Sequence, residues 1–478
     1  MNKTYSLKKA AIINAVGKYS KIILQIIVEI VLARLLTPHD YGIVAVITVF
    51  TTFFTTLSDI GVSTAIIQIK ELTKNDIDNI FTFTVYLSIS LMLIFMLFSY
   101  PIAGFYNDKV YIKIGQLLSI SLLFNSLNMV PNGILNRNKE FVTIAFRTVI
   151  VYVVSVVITI GLAVMGFRFY ALVYQAILSS FFTFLWNFIT THPKFKLKYD
   201  NSSLKKILNY SSYQFAFNLL NYFSRNLDNL LSGKFIGSTQ LGFYNKSYNL
   251  MQYPVGNLAG VVTPVLHPIL SDYQNVKKIM YKKYMKIVKL LFTVGIYAEA
   301  ICIFAAPEII NIMYGSKWSN SIICFQLLSI SIATQIVNSS SGSIFQALGN
   351  TKLMFIAGLI NAVVTILAIL FGVFIGETIY SVALWVSLSF LLNFLVSFYI
   401  LIRYAFKFSF WKFIQELEPY IVIAEIVAIA IVIYPLISIN INSMVLSLII
   451  KIIYVTGVYL ISLFITGQLK ATYRALFR

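Results

Sequence analysis

The sequence is poor in charge, in cysteine and in histidine, and each shortage argues against a class of protein. Charged residues make up 11% of its 478 residues. Soluble domains carry about 25%, so the composition argues against a water-soluble fold. Two cysteines, Cys302 and Cys324, cannot supply a disulfide framework or a thiolate metal cluster, and they read as small buried apolar residues. The three histidines, His39, His192 and His267, are scattered, and they form neither a metal-ligand set nor a catalytic arrangement. No nucleotide-binding glycine loop is present, and no long polar loop offers room for a soluble catalytic domain.

What fills the chain instead is apolar. The hydrophobic set reaches 59%, with 39 phenylalanines. Long apolar runs recur from end to end, which is the pattern of an all-α polytopic membrane protein. The spans fall at roughly 11–35, 41–66, 79–103, 112–130, 141–164 and 168–190. A second set lies at 210–233, 241–266, 286–306, 320–341, 353–374 and 377–400, with two more at 418–436 and 443–466. The total is about 14 transmembrane helices. The basic start, MNKTYSLKKAAIINAVGKYSK, leads into an apolar stretch without a small-residue cleavage site, so the first span is expected to be retained.

A formal net charge of +20 does not point to nucleic acid here, because the basic residues lie in short loops between apolar spans. Of 37 Lys and Arg, 28 fall on one side, six on the other, and three (Arg225, Lys246 and Lys451) within spans. That bias predicts both termini on the cytoplasmic side of the membrane. One stretch, DYQNVKKIMYKKYMKIVKL at 272–290, is denser than the rest. It is either a basic interfacial helix beside anionic headgroups or an ordinary instance of positive-inside bias.

Two short echoes divide the chain. LARLLTPHDYG (32–42) returns as SGKFIGSTQLG (232–242), matching Arg34 to Lys234 and Gly42 to Gly242. PNGILNRNKEF (131–141) returns more weakly in SGSIFQALGNTKLMF (341–355). They suggest a six-helix bundle at 1–200, a second at 201–412, and two additional helices with a tail at 413–478. Six spans per half makes the repeats parallel, with a central cavity between them.

The stretch NYFSRNLDNLLSGK, 221–234, places Arg225 and Asp228 one turn apart inside a span. Arg225 sits about 15 residues in, roughly 22 Å along the helix, too deep to snorkel to the near surface. With Asn218 and Asn221, these groups are expected to face protein or a wet cavity rather than lipid. Arg225 and Asp228 read either as a pair tying the span to a neighbour or as an anion-binding point. In the second reading the planar guanidinium contacts phosphate and Asp228 orients it. Glu29, Glu299 and Asp59 are the carboxylates available for ion coupling or for fixed structural pairing. Arg34 and Lys234 fall near the outer mouth, and Lys246 lies close enough to a span end to snorkel.

LARLLTPHDYG (32–42), SDIGVSTAIIQ (58–68), NYFSRNLDNLLSGKFIG (221–237), LGFYNKSY (241–248) and YGSKW (314–318) resemble segments of bacterial polysaccharide transport flippases. The branch is Wzx/WzxC-like, within the multidrug/oligosaccharidyl-lipid/polysaccharide exporter superfamily. The resemblance covers nearly the whole chain. It implies two helix bundles around an alternately open cavity. It also implies export of oligosaccharide repeat units on undecaprenyl pyrophosphate from the cytoplasmic to the outer leaflet. The expected cationic cavity then falls on Arg225, with Lys234 and Arg34 beside it. No enzymatic step, metal or cofactor is expected, and coupling to an H+ or Na+ gradient stays open. The partners would be the lipid-linked oligosaccharide, membrane lipids and the polysaccharide polymerase and assembly machinery. Two alternatives remain: a cation-coupled multidrug exporter, which would favour carboxylates over Arg225, and a membrane glycosyltransferase or polymerase, which would need a larger loop.

Overall fold

A computed structural model describes residues 7–58, 62–197, 200, 222, 225–274, 276–437, 443–470 and 472. Among these residues the regular structure is helical, with no strand. The chain forms two compact units, Met1–Gly242 and Phe243–Arg478. The first contains α1 (Leu7–Leu35), α2 (Pro38–Ser58), α3 (Val62–Gln68), α4 (Lys74–Tyr106), α5 (Val110–Leu127), α6 (Met129–Arg137), α7 (Phe141–Val164), α8 (Phe169–Thr191) and the helical residues of α9 (225–235). Helix α10 (Ser238–Ser271) begins in the first unit and continues in the second. The second unit then has α11 (Lys277–Phe304), α12 (Ala306–Met313), α13 (Asn320–Ser329), α14 (Ile332–Asn338), α15 (Ser341–Ala347), α16 (Thr351–Phe374), α17 (Ile379–Ile400), α18 (Phe410–Ile437) and α19 (Met444–Ile465). Among the described residues, 10 helical stretches are long and apolar enough to cross a bilayer, or 11 counting one bent pair. Most of the seventh expected span lies outside the described residues.

Local chemistry sets the helix starts. Thr37 precedes Pro38, which occupies the first helical position, where a missing N–H removes nothing. The Thr37 N–H donates to Asp40 Oδ2 at 2.9 Å, and the Asp40 N–H returns to Thr37 Oγ1 at 3.3 Å. The same reciprocal cap starts α4, between Thr73 and Asp76.

Both sequence echoes are structural repeats at constant offset. α1 ends at Leu35 and α2 starts at Pro38; 200 residues later α9 ends at 235 and α10 starts at Ser238. The turn bonds match as well: Leu36 N–H to Leu32 O at 2.9 Å, and Ile236 N–H to Ser232 O at 2.9 Å. The second echo shifts by 210. α6 stops at Arg137 and α7 starts at Phe141, while α15 stops at Ala347 and α16 starts at Thr351. Each turn passes through one left-handed residue, Lys139 at φ 58° or Gly349 at φ 69°. Each closes with a five-residue bond, Glu140 N–H to Leu135 O at 3.0 Å or Asn350 N–H to Phe345 O at 2.9 Å. A shared fold of the turn thus survives where the side chains have diverged.

Two expected spans are interrupted. The span placed at 112–130 is α5 and α6, joined through Asn128. The span placed at 320–341 is α13 followed by α14 and α15, with a 47° bend across the break. At Asn128 the backbone bonds run on, its N–H to Phe124 O at 3.0 Å and the Asn132 N–H to its carbonyl at 2.9 Å, whereas groups freed at the second break need partners in a low-dielectric setting. At the second break the Ala333 N–H donates to Glu299 Oε2 at 3.0 Å.

The added helix α19 is fixed by a buried ion pair. Lys451 Nζ lies 2.7 Å from Glu308 Oε1, which also accepts from Ser447 Oγ at 2.8 Å. Lys451 donates to the Phe304 carbonyl at 3.2 Å and stands 4.8 Å from the Phe304 ring centroid. Lys451→Ala or Glu308→Ala leaves one buried charge uncompensated, a loss of about 3–5 kcal/mol. Thermal unfolding of the detergent-solubilised protein should show a lower midpoint for each single variant. The Lys451→Met/Glu308→Leu pair should recover most of it.

Candidate functional site

The site begins with α9, whose string carries both Arg225 and Asp228. One flank of α9 is sewn to α2 and α4. The Tyr222 hydroxyl donates to the Val49 carbonyl, and the Tyr106 hydroxyl donates to the Leu230 carbonyl at 3.0 Å. Lys234 Nζ donates to the Phe105 carbonyl and lies 5.1 Å from the Phe105 ring centroid. Lys234 is therefore engaged with the end of α4.

Arg225, Asp228 and Ser232 recur at intervals of three and four, so they share one helix face. Along that face the burial changes steeply. Ser232 is fully buried, Asp228 is 4% exposed, and Arg225 is exposed. The Asp228 carboxylate accepts from the Asn229 N–H at 2.8 Å. No ion pair between Asp228 and Arg225 occurs among the described residues. The expected one-turn pairing is not made, because one group is packed in and the other faces outward. The guanidinium fork is presented to whatever occupies the space beside it. Asn218, Asn221 and Asp59 lie outside the described residues.

The other sequence candidates are dispersed. In α1, Glu29 is half-buried and Arg34 is exposed in the last turn. Glu299, in the second unit, lines a cavity of about 300 Å³ together with Phe292, Thr334, Leu417 and Tyr420. Lys246, expected to snorkel, is 2% exposed, and its ammonium stands 5.3 Å from the Tyr314 ring centroid. Aromatic packing takes the place of the interface there. Cys324 is buried and Cys302 half-buried, and neither is in a disulfide. Among the described residues no group of three His, Cys, Asp or Glu side chains could hold a metal ion.

One charged residue was missed by counting loop charges. Arg147, assigned to the inward side, is 8% exposed within α7. Its Nη1 donates to Asn187 Oδ1 at 2.7 Å, and Asn187 Nδ2 passes the chain to Asn128 Oδ1 at 2.7 Å. Three helices are thereby tied at the α5–α6 break. Its place six residues into the expected span 141–164 is the signal that distinguishes it from a loop arginine.

The mouth of the first hairpin is closed by backbone contact. A Cβ at Gly42 would stand 1.7 Å from the Ser238 carbonyl oxygen, and one at Gly242 would stand 1.9 Å from the Pro38 carbonyl oxygen. Only glycine permits that approach. His39 Nδ1 and Ser238 Oγ, 2.9 Å apart, add a hydrogen bond across the same contact. Asp40, 1% exposed, completes the end through Arg168, whose Nε is 3.4 Å from Asp40 Oδ1.

Known proteins resemble this chain in sequence and in fold. A family model described as polysaccharide biosynthesis protein matches residues 31–323. A membrane protein in the cps region of Klebsiella pneumoniae is 24% identical over 345 residues, covering 71% of each chain. The lipopolysaccharide biosynthesis protein WzxC of Escherichia coli K12 is 23% identical over 353 residues, covering 72% of this chain and 70% of WzxC. Among solved structures, the lipid II flippase MurJ in an inward closed conformation aligns with a TM-score of 0.75 at 19% identity. The alignment covers 98% of this chain and 100% of that one.

The glycine contact makes a direct prediction. A short thiol crosslinker should join a His39→Cys/Ser238→Cys pair efficiently. Adding Gly242→Ala should lower that yield several-fold, since overpacking of a tight contact costs about 1–3 kcal/mol. An unchanged yield would mean that the helix starts shift to accept the methyl group.

Proposed function

The chain belongs to the polysaccharide biosynthesis protein family, and from that premise we propose that it is a flippase for lipid-linked glycans. It moves oligosaccharide repeat units, held on undecaprenyl pyrophosphate, from the cytoplasmic to the outer leaflet by alternating access. The bilayer is a bacterial plasma membrane, with both termini on the cytoplasmic side; the partition of basic residues supports that orientation. No covalent chemistry is required of the protein.

The observation that carries the reading is Arg225. It is an exposed guanidinium on a membrane helix face whose next turn is buried, and no carboxylate within the described residues pairs with it. A bare arginine in such a setting calls for an anionic ligand, and its fork matches the oxygens of a diphosphate. Asp228, held by the chain beside it, keeps the face polar. Asn218 and Asn221 precede it on the same span and would extend contact toward sugar hydroxyls. Arg34 and Lys234 would favour an anion at the opposite end of the path.

Among the carboxylates, Glu299 is the coupling candidate that geometry favours, because it lines a cavity and touches a broken helix. A cation or proton bound there would compete with the Ala333 N–H for the carboxylate and so bear on the break. Glu29 and Asp59 remain second to it. The polymerase and assembly machinery are the natural recipients of the flipped lipid.

The test is transport in liposomes that contain undecaprenyl-pyrophosphate-linked oligosaccharide, scoring glycan on the opposite leaflet. Charged hydrogen bonds contribute about 1.5–3 kcal/mol, so Arg225→Ala should reduce transport roughly 10- to 100-fold. Arg225→Lys should keep the charge and lose the bidentate contact, falling between the two. Unchanged transport in folded Arg225→Ala would return the residue to packing.

A further inference from the structure

The start of α11 carries more positive charge than a membrane orientation signal needs. Lys278, Lys282, Lys286 and Lys289 follow at intervals of four, four and three, so they stand on one helix face. Like charges at four-residue spacing oppose helix formation unless something anionic compensates them. They line a cavity of about 470 Å³, with Lys412 and Glu416 of α18 across from them. Tyr281, Met285 and Phe408 supply apolar wall.

Protein groups compensate one of these lysines. Lys289 Nζ is 2.9 Å from Glu416 Oε2, and the Tyr281 hydroxyl donates to Glu416 Oε1 at 3.2 Å. Among the described residues, no carboxylate lies within ion-pair distance of Lys278, Lys282, Lys286 or Lys412. The pocket thus holds five ammonium groups against one carboxylate. Its rim is built by a deliberate change of chain direction. A wide helical turn at Leu401–Phe406 ends on Lys407, left-handed at φ 66°, and this brings Ser409 and the first turn of α18 alongside α11.

Depth in the bilayer follows from two flanking aromatics. Trp411 is 69% exposed and Tyr404 is 55% exposed, next to the pocket's Phe408–Lys412 edge in sequence. Such rings mark the headgroup level of a membrane protein. A basic cleft between transmembrane helices at that depth meets phosphates of the surrounding leaflet.

We propose that this pocket is a binding site for the phosphate headgroup of an anionic phospholipid, retained by the protein rather than transported. Compact ammonium groups from two helices surround the phosphate. Tyr281 and Phe408 meet the glycerol backbone, and the acyl chains stay in the bilayer. The lipid supplies the counter-charge that the protein omits, and so joins the start of α11 to the start of α18. The proposal does not rest on the flipping function.

The test uses the full chain purified in detergent, titrated with phosphatidylglycerol and read by native mass spectrometry. Each lysine near a membrane surface contributes about 1 kcal/mol, so Lys282→Ala/Lys286→Ala should weaken phosphatidylglycerol binding about 30-fold. Lys282→Arg/Lys286→Arg should retain binding, and Lys70→Ala/Lys74→Ala, removing equal charge elsewhere, should leave it unchanged. Equal binding of phosphatidylglycerol by the alanine pair would overturn the proposal. So would equal binding of phosphatidylcholine to the unaltered chain. Displacement of phosphatidylglycerol by inorganic phosphate at matched concentration would assign the pocket to a soluble anion instead. Displacement by undecaprenyl pyrophosphate would assign it to the transported lipid.

Discussion

In hydrocarbon, each backbone N–H or carbonyl without a partner costs several kcal/mol, and the rest of this structure is arranged around meeting that demand where helices stop. Continuous helices satisfy it by themselves. The informative places are the interruptions. At the α13–α14 break a carboxylate from α11 takes the stray N–H of Ala333. At the α5–α6 junction the Asn128 backbone keeps its helical bonds, to Phe124 O and from the Asn132 N–H, and the relay from Arg147 through Asn187 fixes its side chain instead. Lys451 takes the carbonyl of Phe304 at the end of α11 and, paired with Glu308, closes the end of α19 on α12. Arg225 differs in kind, exposed on its helix face with no ion pair among the described residues, and residues of that kind are where function is sought.

The sequence made the membrane class, the helical content and the approximate span positions readable, because hydropathy over twenty residues is a strong signal. It also revealed the repeat, though for a physical rather than a chemical reason. Positions 139 and 349 hold Lys and Gly, yet both take the same left-handed turn. What is retained is the geometry of the exit and re-entry, and side chains that need only tolerate it can drift. The span breaks were not legible. Ile330 and Ser331 are ordinary residues for an apolar helix, and nothing local at them reports a bend whose partner, Glu299, lies on another helix.

The candidate site was legible in part. Arg225 stood out because an arginine placed so far into a span by the sequence is rare, and the structure leaves it exposed on its helix face. Its relation to Asp228 was read wrongly in one respect: one-turn spacing permits a pair, but packing against neighbouring helices decides which of the two turns inward. Lys246 shows the same limit, since a position near a span end permits snorkelling while Tyr314 makes burial acceptable. Arg147 escaped notice because loop charge was counted by proximity to a span edge, and long side chains at an edge can fold into the protein.

The contact between the two hairpin starts has a consequence for ancestry. Gly42 meets Ser238, while Gly242 meets Pro38, and these four positions are exchanged by the 200-residue offset. Residue i touching j while the copy of i touches the copy of j is the rule of an isologous dimer. A half-length ancestor that paired with itself would need a single glycine to make both contacts at once. After fusion, the two copies are free to diverge everywhere except where they still press on each other, so Gly42 and Gly242 preserve, within one chain, the shape of a meeting between two.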